Sequence, residues 1–174
     1  MRKVLFIHTG GTLLMREGAA GQPLGLAQEI ARDLLVEVPR LSQVAEIETR
    51  VLFNLDSGDM QPSHWIELGR AVHQALAGDY DGVVVVHGTD TLAYTASALS
   101  FLLPGLGKPV ILTGAQLTLA EPRSDGREHL ITSIGLAATL AVPEVCIYFG
   151  GRLLRGNRAQ KVHNDRFDAF HSGN

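Results

Sequence analysis

Apolar residues follow two alternating patterns along the chain. Short, nearly continuous apolar runs, typical of parallel strands covered on both faces, occupy residues 2–8, 47–55, 82–86, 110–112 and 145–149. Between these runs, apolar residues recur at helical spacing over residues 27–36, 62–77, 92–103 and 128–140. Pro62 suits the first position of its helix, and Gly78 suits its end. The alternation predicts an α/β fold with one mainly parallel sheet and helices on both faces.

Three segments lack a regular period. Residues 13–25 are rich in glycine and polar residues, which predicts a loop, and their position after the first strand would let them act as a lid. A hairpin is one interpretation of residues 150–158. Residues 164–174 have no long period and are interpreted as the start of a linker.

Four polar motifs each follow directly on a predicted strand. They are Thr9-Gly10-Gly11-Thr12, Asp56-Ser57-Gly58-Asp59, His87-Gly88-Thr89-Asp90-Thr91 and Thr113-Gly114-Ala115-Gln116. In an open α/β sheet the carboxyl ends of the parallel strands share one edge, and ligands bind there. We therefore expect the hydroxyls, carboxylates and glycines of four separate segments to meet in one crevice.

Composition and charge narrow the class of protein. The 174 residues fit one domain, and the hydrophobic and charged fractions of 45% and 19% are ordinary for a globular protein. A net charge of -3 with scattered Lys and Arg favours neither nucleic acid nor an anionic membrane as a partner, so we expect a small-molecule ligand. Cys146 lies in an apolar run and is interpreted as a buried strand residue, which suits a reducing cytoplasm. No apolar stretch approaches membrane-spanning length.

Two threonines are candidate nucleophiles. Thr12 closes a turn in which two glycines would leave its hydroxyl near bare amide N–H groups, although it could equally cap that turn. Thr89 adjoins Asp90 where the chain passes from a strand to a helix. Capping of that helix by Asp90 or Thr91 is the structural alternative, and it is compatible with a catalytic Thr89. Asp56-Ser57 alone is more typical of a structural turn.

Other chemistries lack their motifs. The chain has no G-x-S-x-G elbow, no phosphate loop ending in Gly-Lys-Ser/Thr, and no G-x-G-x-x-G after the first strand. Its seven histidines have no metal-ligand spacing supported by cysteine or acid pairs, so we expect neither a metal nor a cofactor. His64 and His73 are expected on or beside a solvated helix face.

Taken together, the motifs resemble those of the N-terminal domain of bacterial-type L-asparaginases, most closely the cytosolic type I branch. The resemblance covers essentially the whole chain and is carried by the four motifs together with Leu92-Ala93-Tyr94, Arg123-Ser124-Asp125-Gly126 and Arg155-Gly156-Asn157-Arg158-Ala159-Gln160-Lys161. It implies a Rossmann-like domain that hydrolyses the side-chain amide of L-asparagine to L-aspartate and ammonia, by acyl transfer through a threonine.

The resemblance also implies roles for individual residues. Thr12 matches the primary nucleophile of the family. Thr89, Asp90 and Lys161 match a second constellation, in which the lysine polarises the threonine and the aspartate orients the lysine. Asp90 also matches a substrate-holding residue, and the other positions implied in substrate binding are Asp56, Ser57, Gly88 and Ala115. Without the resemblance, Lys161 would be interpreted as a solvated loop lysine.

Two departures from the family pattern affect the expected activity. Gln22 stands where the lid of the family carries a tyrosine; it can form hydrogen bonds but cannot act as a phenolic proton relay. Family members are also about twice as long, so residues 1–163 are assigned to the N-terminal catalytic domain and 164–174 to the start of an interdomain linker, with the C-terminal domain absent. We expect weak activity from this form and a homo-oligomer, dimer or tetramer, at full length.

Two other functions stay open at this point. The chain could be a non-catalytic, truncated domain that binds an amino acid or serves in assembly. It could also resemble the amidase subunit that supplies ammonia for tRNA-dependent amidation, although the sequence has no basic surface suited to tRNA.

Overall fold

The computed structural model describes residues 1–14, 36, 38–39 and 41–173. In the described part, a six-stranded sheet has the order β2-β1-β3-β4-β5-β6. Its strands are β1 (Lys3–Gly10), β2 (Glu46–Leu55), β3 (Gly82–Val86), β4 (Val110–Thr113), β5 (Val145–Phe149) and β6 (Arg152–Arg155). The first five are parallel, and β6 pairs antiparallel with β5. The mainly parallel sheet predicted from the sequence is confirmed.

The helices cover both faces of this sheet. They are α1 (Leu41–Val44), α2 (Pro62–Ala77), α3 (Leu92–Leu102) and α4 (Gly126–Thr139). As predicted, Pro62 is the first residue of α2 and Gly78 follows its last. The N-terminus of α2 is closed by Gln61, whose amide donates to Nδ1 of His64 at 3.0 Å. The helix predicted over residues 27–36 lies outside the described residues except for its last position.

Two apolar layers form because successive side chains of a strand point to opposite faces. On β1, Leu5 and Ile7 pack in the layer of α2 and α3. Val4 and Phe6 pack in the layer of α1 and α4, so the run is apolar at every position. Cys146 is buried in this second layer, as predicted, and burial raises the pKa of its thiol to about 11. None of the helices in the described ranges is long and apolar enough to cross a bilayer.

The last described residues fold back onto the domain. Gly150 and Gly151 have φ values of 56° and 75° and turn the chain from β5 into β6. The hairpin interpreted over residues 150–158 therefore begins earlier, with β5, and residues 156–158 form a short 3-10 turn after it. A separate antiparallel ribbon joins β7 (Ala159–Lys161) to β8 (Phe170–Ser172). Phe170 is buried, with its ring centroid 4.8 Å from that of Phe149. Residues 169–172, expected in a linker, therefore belong to the folded domain; three-residue strands are too short to show a period in the sequence.

Candidate active site

Close backbone approaches bring the four polar motifs together at the carboxyl edge of the sheet. Gly11, with φ of 92°, lies so near Gly88 that a Cβ on Gly11 would be 2.6 Å from the Gly88 Cα. A Cβ on Gly88 would be 2.6 Å from Oγ of Ser57, and one on Gly114 would collide with the carbonyl oxygen of His87. Side chains at these glycines would hold the motifs apart, so glycine is what permits the crevice.

Hydrogen bonds from hydroxyls and amides fasten the motifs to one another. The Thr91 hydroxyl donates to the Ser57 carbonyl at 2.7 Å, and the His87 amide donates to the Thr113 carbonyl at 2.9 Å. Thr91 does occupy the N-cap position of α3, as the structural alternative held, but its hydroxyl does not bond to the helix. It joins two motifs instead.

Lys161 connects the ribbon of β7 and β8 to the third motif. Its Nζ donates to Oγ1 of Thr89 at 2.9 Å and to Oδ1 of Asp90 at 2.7 Å. The Lys161 side chain is 11% exposed, whereas that of Asp90 is 69% exposed. An ammonium held this way stabilises negative charge that develops on the threonine oxygen. The position of this lysine is not that of a solvated loop residue.

Thr12 begins a short 3-10 turn, Thr12–Leu14, directly after Gly11. The backbone contact of Gly11 with Gly88 brings this turn beside the loop that carries Thr89. Leu13 is buried and anchors the turn, because its carbonyl accepts the Leu119 amide at 3.0 Å. The rest of the expected lid, including Gln22, lies outside the described residues.

The positions assigned to substrate binding differ in exposure. Asp56 is exposed, and its Oδ1 accepts the Gly58 amide at 2.8 Å, so it does stabilise its own turn. Ser57, Gly88 and Ala115 are buried within the packed loops. Of these four positions, only Asp56 therefore presents a charged group to solvent.

Two buried histidines, His87 and His129, and the Asp125 carboxylate make contacts beside the site to which the sequence assigned no role. His87 contacts the Gly88 carbonyl and His129 contacts the Gly114 carbonyl. The Asp125 carboxylate accepts the amides of Gln116 at 3.0 Å and Leu117 at 3.1 Å. Two sequence features could have pointed to these residues: the histidine inside the third motif, and the Asp-x-x-x-His spacing of Asp125 and His129 at the start of α4. In the part of the chain that the structure describes, no three His, Cys, Asp or Glu side chains form a group that could hold a metal.

Comparison with known proteins assigns the chain to a family. The model of the asparaginase N-terminal domain matches residues 3–174. This chain belongs to the asparaginase family. The asparaginase domain is 42% identical over 177 residues to L-asparaginase 1 of Escherichia coli K12, covering 99% of this chain and 51% of that protein.

Two further similarities extend the comparison. The asparaginase domain is 44% identical over 183 residues to one of the subunits of the glutamyl-tRNA(Gln) amidotransferase of Pyrococcus abyssi, covering 99% of this chain and 40% of that one. The crystal structure of L-asparaginase I from Vibrio cholerae superposes with a TM-score of 0.86 at 39% identity, over 100% of this chain and 52% of that chain. The chain thus spans about half the length of the asparaginases it matches.

Proposed function

We propose that this domain carries the amide-hydrolysing site of an L-asparaginase, which converts L-asparagine and water to L-aspartate and ammonia. The observation that carries the proposal is the Lys161 ammonium, which is shared between the Thr89 hydroxyl and the Asp90 carboxylate at 2.9 and 2.7 Å. Thr89 and Lys161 are 72 positions apart in the sequence, and the fold brings Lys161, at the end of β7, to the loop that follows β3.

The proposed reaction is acyl transfer in two steps. Oγ1 of Thr12 attacks the carboxamide carbon, its proton passes to the departing nitrogen, and ammonia leaves an aspartyl ester on Thr12. Water then attacks the ester carbon, restores the Thr12 hydroxyl and releases L-aspartate. Thr89, held by Lys161, supplies a polarised hydroxyl beside the reacting group, and the ammonium stabilises negative charge in both steps.

Substrate binding follows from the charges of asparagine. Its ammonium requires a carboxylate, and two of the exposed carboxylates in the four motifs, Asp56 and Asp90, are the ones proposed to supply it. Its carboxylate requires neutral donors, which Ser57 and the backbone around Gly88 supply. The backbone at Ala115 would then lie beside the side-chain amide. In the proposed lid, Gln22 could bond to the substrate but not relay a proton.

The proposed setting is a cytoplasmic homo-oligomer that acts on a small molecule. The net charge of -3 and the buried, unpaired Cys146 support a small-molecule partner in a reducing compartment. Two apolar side chains on one face of α3, Tyr94 and Phe101, are exposed and support assembly between chains.

A second candidate is an amidase that supplies ammonia to a tRNA-dependent amidotransferase. The 44% identity to one component of such an enzyme favours it. The two candidates differ in the components they require for turnover. An asparaginase should release ammonia from free L-asparagine without tRNA or partner subunits. Turnover that begins only when tRNA and partners are added would support the second candidate.

The experiment that tests the proposal replaces the lysine of the site. Lys161→Met should lower kcat for ammonia release from L-asparagine by about a hundredfold or more, because one positioned donor to a developing charge contributes about that much. Lys108→Met is the matched control, since Lys108 bonds only to the Gly78 carbonyl among the contacts described, and it should be unchanged. A Lys161→Met protein as active as the control would overturn the proposed role of this group.

A further inference from the structure

Two histidines behind the site repeat one arrangement. Nδ1 of His87 lies 2.7 Å from the Gly88 carbonyl oxygen, and Nδ1 of His129 lies 2.8 Å from the Gly114 carbonyl oxygen. Both rings are 1% exposed. In each case the glycine directly precedes a residue assigned to the site, Thr89 in one loop and Ala115 in the other.

The hydrogen-bond partners determine the tautomer of His129. A carbonyl oxygen can only accept, so Nδ1 must carry the proton. Nε2 accepts the Gly150 amide at 3.0 Å, so it must have a free lone pair. The ring is therefore neutral with its proton on Nδ1. The nearest Asp125 oxygen is 3.7 Å from Nδ1, beyond hydrogen-bond distance, and Glu128 is as far from Nε2.

The same reasoning applies to His87 through one intermediate residue. Its Nδ1 faces a carbonyl oxygen and must donate, while its Nε2 lies 2.9 Å from Oγ1 of Thr95. Since Nδ1 carries the one proton of the neutral ring, Nε2 must accept, so the Thr95 hydroxyl donates to it while accepting the indole N–H of Trp65 at 2.9 Å. Burial lowers the pKa of His87 to about 4, which keeps this ring neutral at pH 7.

The glycines explain why such anchors are needed. Neither Gly88 nor Gly114 can carry a side chain, because a Cβ would collide with Ser57 or with the His87 carbonyl. Glycine restricts the orientation of the next peptide less than any other residue does. In a trans peptide the C=O and N–H point in opposite directions, so fixing the glycine carbonyl also fixes the amide of the residue that follows.

We propose that His87 and His129 are a pair of positioning residues, which hold the Gly88–Thr89 and Gly114–Ala115 peptides in the orientation that the site requires. Each acts through Nδ1–H on a glycine carbonyl, and each is held in that tautomer by a donor to Nε2: Thr95 for His87 and the Gly150 amide for His129. The effect on rate rests on the proposed amide hydrolysis, whereas the tautomers and the peptide orientations do not.

Asparagine and glutamine substitutions separate positioning from packing. Asn places its amide nitrogen where Nδ1 lies, while Gln reaches only toward Nε2. His87→Asn and His129→Asn should lose no more than about threefold in kcat for L-asparagine, and His87→Gln and His129→Gln should lose about tenfold or more, since a misplacement of about 1 Å can cost about a hundredfold. KM should change less than kcat. His73→Asn and His73→Gln, on the exposed face of α2, are the matched controls and should be unaffected.

The Thr95 pair tests the same claim with a smaller change. Thr95→Ser keeps the hydroxyl that sets the His87 tautomer and should retain kcat, whereas Thr95→Val should resemble His87→Gln. Equal losses in the Asn and Gln forms of folded protein, or in Thr95→Ser and Thr95→Val, would show that these residues only fill space and would overturn the proposal.

A spectroscopic measurement needs neither a variant nor activity. Nitrogen-15 NMR of the wild-type imidazoles at pH 7 should show a protonated Nδ1 and an unprotonated Nε2 for both His87 and His129. A proton on Nε2 of either neutral ring would overturn the proposal. If the protein released no ammonia from L-asparagine, the proposed function would fail, while the NMR result would still decide the tautomers.

Discussion

His8 is a buried imidazole at the end of β1 with no hydrogen-bond partner among the described residues at either ring nitrogen. It shares the α1 and α4 face of the strand with Val4 and Phe6, because it follows them at intervals of two. Burial lowers the pKa of His8 from 6.5 to about 4. The folded protein therefore excludes a proton that the unfolded chain accepts.

This difference predicts a loss of stability in mild acid. Above pH 6.5 neither state is protonated at His8, and below about pH 4 both are. Between these values the unfolded state binds more protons, so the free energy of unfolding should fall as the pH falls, by up to about 1.4 kcal/mol per pH unit from this group. Urea unfolding at pH 7 and pH 5 measures the slope, to which His87 contributes in the same direction. His8→Leu should have a shallower slope than the wild type and the exposed control His73→Leu; equal slopes would contradict the prediction.

A second residue-scale prediction separates steric crowding from backbone strain. Gly11 and Gly105 both have positive φ, but a Cβ on Gly11 would meet Gly88 whereas a Cβ on Gly105 would meet no atom within 4 Å. Gly105→Ala should cost about 1–2 kcal/mol of unfolding free energy from strain alone. Gly11→Ala should cost about 3 kcal/mol or more, because overpacking is added. Thermal or urea unfolding of both variants checks this, and equal costs would mean that the loops can separate.

At the scale of elements, the ribbon of β7 and β8 is what positions Lys161. Lys161 pairs with Phe170 in the register of the ribbon, and the Phe170 ring packs on Phe149 at the end of β5. The ribbon is therefore attached to the core at the position that carries the lysine. Gln116 holds the loop between β7 and β8 as well, since its side-chain amide nitrogen Nε2 donates to the carbonyls of Asn164 and Arg166 at 3.0 and 2.9 Å.

Removing the buried phenylalanine should release the ribbon. Phe170→Ala should destabilise the protein by about 3–5 kcal/mol, the usual cost of emptying a buried aromatic site, and should lower ammonia release through Lys161. Phe167 is the matched control, because its side chain is 50% exposed, and Phe167→Ala should change the unfolding free energy by less than about 0.5 kcal/mol. Similar effects of both substitutions would mean that the ribbon is not anchored through Phe170.

The elements that the sequence predicts are those with a strong local signal. β3 is fully buried on both faces and appears as an unbroken run, and α2 is marked by Pro62 and Gly78. The strands β7 and β8 have three residues each, and their pairing joins positions about ten residues apart. No periodicity can develop over three residues, so the sequence indicated a linker where the structure has a strand.

At the scale of the whole molecule, the meeting of the four motifs was predictable because each follows a parallel strand. The environment of Lys161 was not, since it depends on a non-local ribbon and only the resemblance to the family pointed to it. The two positioning histidines were missed for a similar reason: the partner of His129 on the β5–β6 turn, Gly150, is 21 residues away. Local patterns predict where loops begin, but not which buried side chains hold them.

The proposed assembly makes a prediction for the molecule in solution. Tyr94 and Phe101 are seven residues apart on α3, so they share a face, and they are 67% and 75% exposed. Sedimentation velocity should detect self-association that Phe101→Arg weakens, because a charge would have to be desolvated in the interface. Phe167→Arg, at another exposed phenylalanine, is the control and should leave the self-association unchanged. A monomer at all concentrations, or equal association in both variants, would contradict an interface on this face.

The most direct test of the central claim, that a threonine at the carboxyl edge hydrolyses the amide, is to look for the covalent intermediate. The protein is mixed with L-asparagine and quenched in acid before one turnover is complete. It is then digested, and the masses of its peptides are measured by mass spectrometry. The account predicts an aspartyl ester on the peptide that contains Thr12, which disappears in Thr12→Val. Release of ammonia with no ester on any threonine peptide would contradict it, and an ester on Thr89 alone would show that the attack had been assigned to the wrong threonine.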